Sequence, residues 1–157
     1  MDRAVLDQLY RSHGPAVLRR ARQILQDEAE ARDALQEIFL SLADHTSFKL
    51  RDGTTAWFYV RTTNYCLNRL RDDKNRARLR SERLAPPAAS ASPHVETAVM
   101  ARGLLERLPA PLAEVAVYYY CDEMTQEEIA ALLGCSRRHV GHLVERIRAA
   151  LGVAECG

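Results

Sequence analysis

The sequence predicts an all-α protein of two small helical domains, the second ending in a helix-turn-helix, and three observations carry that prediction. Apolar residues recur at helical spacing along most of the 157-residue chain, and no long β-branched alternation interrupts them. Glycine and aromatic residues are scarce while Ala, Leu, Arg and Glu are plentiful, the composition of helices rather than sheets. Finally, residues 85–94 read APPAASASPH, a stretch with no large apolar group to pack, which marks a linker between a domain over 1–84 and one over 95–157. With 47% hydrophobic residues the chain can supply a core to both.

In chain order, a helix is expected from about Asp2 to Ser12, with Val5, Leu6 and Leu9 apolar, broken at Gly14-Pro15. A second follows through Val17, Leu18, Ala21, Ile24 and Leu25. An acidic third helix, about Ala29 to Ala43, carries Ala31, Leu35, Ile38, Phe39 and Leu42 as its buried stripe and leaves Asp33, Gln36, Glu37 and Ser41 outside. HTSFKLRDGTT is then a basic loop with one exposed-looking aromatic, Phe48. The longest helix is expected over about Thr55 to Ser81. Trp57, Val60, Leu67 and Leu70 can face inward, and Arg61, Asn64, Asn68 and Arg71 recur on another face. With Phe58, Tyr59 and Tyr65 nearby, that face is either a platform for a nucleic-acid backbone and stacked bases or a solvated side over an aromatic core.

Beyond the linker, helices are expected over Val95 to Leu108 and Leu112 to Cys121, separated by Pro109-Ala-Pro111. Leu112, Val115 and Tyr119 form one stripe of the latter, and successive tyrosines at 118–120 cannot all face inward. The last two helices have the plainest signals. Thr125 and Glu128 form a capping box, Gly134 suits a left-handed turn, and Ser136 caps a helix whose apolar stripe is Val140, Leu143, Val144, Ile147 and Leu151. Arg137, Arg138, His139, His142 and Arg146 are left to its other faces, the arrangement with which a helix-turn-helix enters the major groove.

The formal net charge of +1 conceals two opposite segments. From Gln26 to Asp44 six acids face one arginine, a net −5; from Lys49 to Arg83 ten bases face four acids, a net +6. One surface is therefore suited to a basic partner and another to a polyanion. No apolar run has signal-peptide or membrane-spanning length, so a cytoplasmic location is expected. Cys66, Cys121, Cys135 and Cys156 are widely spaced without a C-x-x-C pair, so no metal site or disulfide framework is expected; Cys135 sits in the helix-turn-helix turn, where an idle thiol is the expectation and an oxidant-sensing role the alternative. The chain has no phosphate-cradling glycine loop, and no cofactor or enzymatic activity is expected.

These domains, in this order, resemble the bacterial extracytoplasmic-function sigma factors over nearly the whole chain. DALQEIFLSL, from Asp33 to Leu42, looks like the family's D-x-x-Q-E-x-F-L segment, and AWFYVRTTNYCLNRLR, from Ala56 to Arg71, is similar to its A-W-L-Y-R-I-A-R-N-x-x-L-D-x-L-R segment. LPAPLAEV from Leu108 and QEEIAALLGCSRRHV from Gln126 resemble L-P-x-x-x-x-E-V and x-E-E-I-A-E-x-L-G-I-S-x-x-T-V. The resemblance implies an alternative sigma factor that binds core RNA polymerase through Asp33, Gln36, Glu37, Phe39 and Leu42, with Phe39 and Leu42 packing beneath the polar residues. It implies recognition of the promoter −10 element, and its melting, by Phe48, Lys49, Arg51, Trp57, Tyr59, Arg61, Asn64, Asn68, Arg69 and Arg71. The −35 element would be read by Ser136, Arg137, Arg138, His139, His142 and Arg146, and an anti-sigma factor is the implied regulator.

The chain departs from the pattern at Gly141 and Leu143, where lysine or arginine is usual, at Val60 and Thr63, where arginines are frequent, and at Asn68, which replaces a common aspartate. Those departures point away from the family's usual promoter sequence. They also favour a second domain that binds DNA weakly and mainly engages the polymerase flap or a regulator. Two alternatives stay in view: a stand-alone helix-turn-helix regulator, and a degenerate sigma-like protein acting mainly by binding an anti-sigma factor.

Overall fold

The computed structural model describes residues 2–44, 54–81 and 102–152, apart from the side chains of residues 74, 80 and 81. Among them there is helix and no strand. The chain packs as two compact units, Met1–Cys66 and Leu67–Gly157, so the division falls inside the longest helix. The expected linker at 85–94 and the basic loop with Phe48, Lys49 and Arg51 lie outside the described residues.

In the first unit α1 runs Arg3–Leu25, α2 Glu28–Asp44, and α3, Thr54–Ser81, enters from its N-terminal half. The expected break at Gly14-Pro15 does not occur: both residues lie inside one 23-residue helix. Leu9 and Val17, on either side of the pair, are buried in the same core, and a continuous helix keeps residues eight apart on one face. That shared burial outweighs the single helical hydrogen bond proline forfeits. α1 ends where Gln26 adopts a left-handed conformation (φ 54°), and Asp27 Oδ1 then accepts from the Glu30 amide at 2.9 Å to start α2. Leu9, Val17, Leu35, Ile38, Phe39, Leu42 and Phe58 make the core. Ring contacts run through it: Tyr10 meets Phe39 edge-on at 5.0 Å, Phe39 stacks on Phe58 at 5.1 Å, and Phe58 takes His13 on one side at 4.7 Å and the Trp57 edge at 5.0 Å.

The second unit holds the C-terminal half of α3, a helical stretch over 102–107 (α4), α5 (Ala110–Ala116), a π-helical segment (Val117–Cys121), α6 (Gln126–Leu133) and α7 (Arg137–Leu151). Pro109 and Pro111 do not separate α5 from its start as a spacer would; Pro109 is its N-cap and Pro111 sits in its first turn, where a proline amide is not missed. The expected regular helix to Cys121 widens into π geometry after Ala116, closed by Asp122 N–H on the Val117 carbonyl at 3.0 Å. Tyr118, not Tyr119, is the fully buried tyrosine; Tyr119 is half-buried and Tyr120 exposed. The Tyr118 hydroxyl is satisfied by donating to Glu114 Oε1 at 3.0 Å. α5 and α6 both pack on α7, which buries Val140, Leu143, Val144 and Ile147 between them.

Candidate functional site

α2 presents its polar edge as expected. Asp33, Gln36 and Glu37 are exposed, while Phe39 is 5% and Leu42 0% exposed. The two apolar residues therefore support that edge from below. The sequence reading missed Leu40, which is 59% exposed on the same helix, one turn from Gln36 and Glu37. It also missed an open groove of about 430 Å³ formed by Arg3, Leu6, Asp7, Tyr10, Gln36, Phe39 and Leu40. Its α1 wall was unreadable because nothing in the sequence sets the register of α1 against α2.

On α3 the two readings of the aromatics divide between individual rings. Phe58 is buried, at 3%, and belongs to the core. Trp57 and Tyr65 are half-buried and pack against it, so their faces are partly spent on the fold. Tyr59 is half-buried with the Arg20 guanidinium carbon 4.3 Å from its ring centroid. Arg61 and Asn68 are exposed, and Asn64, Arg69 and Arg71 are half-buried. Further along, Arg71 is anchored within the second unit, donating from Nη1 to Asn68 Oδ1 at 3.1 Å and from Nη2 to the Leu108 carbonyl at 3.3 Å. Thr63, one of the departures from the family pattern, is fully buried; its position turns inward, where an arginine head would be taken out of water.

The helix-turn-helix has the expected parts. The Thr125 amide donates to Glu128 Oε2 at 2.7 Å and the Glu128 amide to Thr125 Oγ1 at 3.2 Å, completing the capping box. Gly134 has φ 67°, and Ser136 Oγ accepts from the His139 amide at 3.1 Å. Ser136, Arg137, Arg138, His139, His142 and Arg146 are all exposed. Arg137 is held by an internal partner, its Nε 2.7 Å from Glu127 Oε1 across the turn, in an exposed ion pair. The two departures within α7 now have positions. Leu143 is 7% exposed and belongs to the core, so it is no lost cation of the outer face. At Gly141 an added Cβ would lie 3.3 Å from Gln126 Oε1 of α6, which places this glycine at the helix crossing.

No group of three or more potential metal ligands occurs among the described residues, nor any helix long and apolar enough to cross a membrane. Cys66 is buried, and burial pushes its thiol up to about 12. Cys121 is exposed and Cys135 half-buried.

Comparison with known proteins identifies the family. Residues 9–76 match the family description Sigma-70 region 2, and residues 99–151 match Sigma-70, region 4. Among solved structures, the fold is similar to the sigma factor RpoE of Bartonella quintana, solved with the anti-sigma factor NepR (TM-score 0.51, 19% identity, 95% of this chain and 98% of that one). It is also similar to CnrH, solved with the cytosolic domain of CnrY (TM-score 0.55, 23% identity, 96% and 87%). The sequence is 31% identical over 156 residues to the ECF RNA polymerase sigma factor SigM from two strains of Mycobacterium tuberculosis, covering 96% of this chain and 76% of the relative. With two sigma-70 regions in order and a relative of that identity and coverage, the chain belongs to the extracytoplasmic-function family of RNA polymerase sigma factors.

Proposed function

We propose that this sigma factor divides its work among three faces. The exposed edge of α2, Asp33, Gln36 and Glu37 with Leu40 and the neighbouring groove, docks a basic, partly apolar surface of core RNA polymerase. The exposed and half-buried residues of α3, Tyr59, Arg61, Asn64, Asn68, Arg69 and Arg71, meet the −10 element as it opens, together with Phe48, Lys49 and Arg51 of the preceding loop. The N-terminal part of α7 reads the −35 element through Arg138, His139, His142, Arg146 and, once released from Glu127, Arg137. The domains would then be 1–84 and 95–157, joined by the linker at 85–94. The protein performs no chemistry of its own; its free energy of binding DNA and polymerase is the whole of its mechanism. It works in the cytoplasm, where an anti-sigma factor holds it by covering the polymerase-binding faces.

The single observation that carries this reading is the α2 edge: two carboxylates and an amide stand exposed over buried Phe39 and Leu42, with no fold-stabilising use for their exposure. Reversing Asp33 and Glu37 to lysine should weaken binding to core polymerase by roughly 100-fold or more, since like charge against a basic surface costs several kcal/mol. Arg138→Ala should leave core binding unchanged and reduce promoter occupancy by the holoenzyme. Equilibrium titration with fluorescent core enzyme and run-off transcription measure the two effects. Tight, specific duplex binding by the chain alone, with no affinity for core, would instead identify a self-sufficient regulator.

A further inference from the structure

Among the described residues Arg20, Thr62 and Thr63 are the buried polar side chains, and Arg20 alone is charged, at 8% exposure. Arg20 reaches from α1 to α3. Its Nε and Nη2 donate to Thr63 Oγ1 at 3.2 and 3.1 Å, and Thr63 Oγ1 donates to the Tyr59 carbonyl at 2.8 Å. The guanidinium carbon meanwhile lies 4.3 Å from the Tyr59 ring centroid. One cation therefore grips both the ring and the helical turn that carries it. Beside them is a cavity of about 60 Å³, lined by His13, Arg20, Thr55, Phe58, Tyr59 and Thr62 among others, large enough for water and too small for a nucleobase.

Stability alone does not call for this arrangement. A buried charge must be taken out of water, and an apolar side chain of similar volume is commonly as stable or more so. What the guanidinium adds is orientation: its planar fork fits Thr63 with two donors while its face covers the tyrosine ring, which a lysine or methionine cannot do together. Tyr59 is half-buried, with the guanidinium over one face of its ring.

We propose that Arg20 is a positioning residue for promoter opening, holding Tyr59 in the one orientation in which its outer portion can stack on a base of the melted strand. This rests on the reading that Tyr59 faces that strand. A ring ordered beforehand loses no conformational freedom when the base arrives.

The test uses the full chain, with core polymerase, on a promoter selected by the parent holoenzyme from a randomised duplex library. The variants are Arg20→Lys, Arg20→Met, Tyr59→Ala and Arg20→Lys combined with Tyr59→Ala. Opening is followed by 2-aminopurine fluorescence, beside thermal melting and core affinity, and the Tyr59 ring is followed by carbon-13 NMR in the free protein. Both Arg20 variants should keep the parental melting midpoint and core affinity while opening the promoter roughly 10-fold more slowly, the scale of one base–aromatic stack. The double variant should open no more slowly than Tyr59→Ala, and the Tyr59 resonance should sharpen in Arg20→Lys as the ring is released. Parental opening or an unmoved Tyr59 resonance in Arg20→Lys overturns the proposal. So do losses that multiply in the double variant, or slower opening that merely follows a loss of fold or core affinity. If Tyr59→Ala itself opens at the parental rate, the reading of Tyr59 fails and the proposal falls with it; if only the Arg20 variants are silent, that reading stands and the proposal alone is lost.

Discussion

α7 and α3 are both amphipathic helices credited with DNA contacts, yet they divide their residues differently. α7 buries Val140, Leu143, Val144 and Ile147 and exposes Arg137, Arg138, His139, His142 and Arg146, a clean division between an inner and an outer face. In α3 the division is blurred: Trp57 and Tyr65 are half-buried against the core, Tyr59 rests on Arg20, and Phe58 is spent entirely on packing. A reader of duplex DNA needs only a rigid helix with the right groups outside. A helix that meets separated bases needs aromatic rings, and rings that large are not left fully in water. Substitutions in α7 should therefore separate binding from stability, and substitutions in α3 should mix them.

Phe58→Ala gives the largest expected effect. The ring contacts Phe39, His13 and Trp57, and its removal leaves a hole at the centre of the first unit. A loss of about 3–5 kcal/mol is expected for that unit, read from its urea transition, with loss of polymerase binding because α2 leans on the same rings. A loss below about 1 kcal/mol would mean that the aliphatic residues hold α1, α2 and α3 together without the ring contacts, and the contrast with α7 would weaken.

The same contrast explains what could be read from the sequence. The capping box at Thr125, the left-handed Gly134, the Ser136 cap and the α7 stripe are local signals, each complete within a few residues, and all appear in the structure. α2 was legible for the same reason, down to Phe39 and Leu42 lying beneath Asp33 and Glu37. The continuity of α1 through Gly14-Pro15 was not, because the shared core that holds Leu9 and Val17 on one face is tertiary. Nor were the groove beside Leu40, the Arg20 contact with Thr63, 43 residues away, or the π turn that buries Tyr118. Alternation tells which residues can share a face; it does not tell which ring of Trp57, Phe58 and Tyr59 the neighbouring helix will cover.

Gly141→Ala sharpens the comparison from the α7 side, with a smaller effect. Glycine inside a helix costs up to about 1 kcal/mol against alanine. The one obstacle is Gln126 Oε1 at 3.3 Å, the far end of a side chain that can turn aside. The variant should gain several tenths of a kcal/mol in the second unit's unfolding transition and keep core binding. A loss of stability would show that α6 and α7 cross too closely for any side chain there, making Gly141 a packing requirement.

The smallest effect belongs to Glu28, at the start of α2 and outside both DNA-facing helices. Its carboxylate accepts from Arg22 at 2.6 and 2.7 Å and from Arg32 at 3.0 Å. Those bonds, Arg22's first, lower its pKa from 4.5 to about 2. Because the folded value lies below the unfolded one, the stabilisation is complete above 4.5, declines as the pH falls towards about 2, and is gone below it. All three side chains are about half exposed or more, so the contribution is small and salt weakens it. Glu28→Gln should lower the first unit's urea midpoint slightly near neutral pH and match the parent under strongly acidic conditions, with the gap narrowing at high salt. A gap that persisted unchanged into strong acid would assign the contribution to the neutral side chain, since a carboxylate shared by two guanidiniums must lose its hold on them once it is protonated.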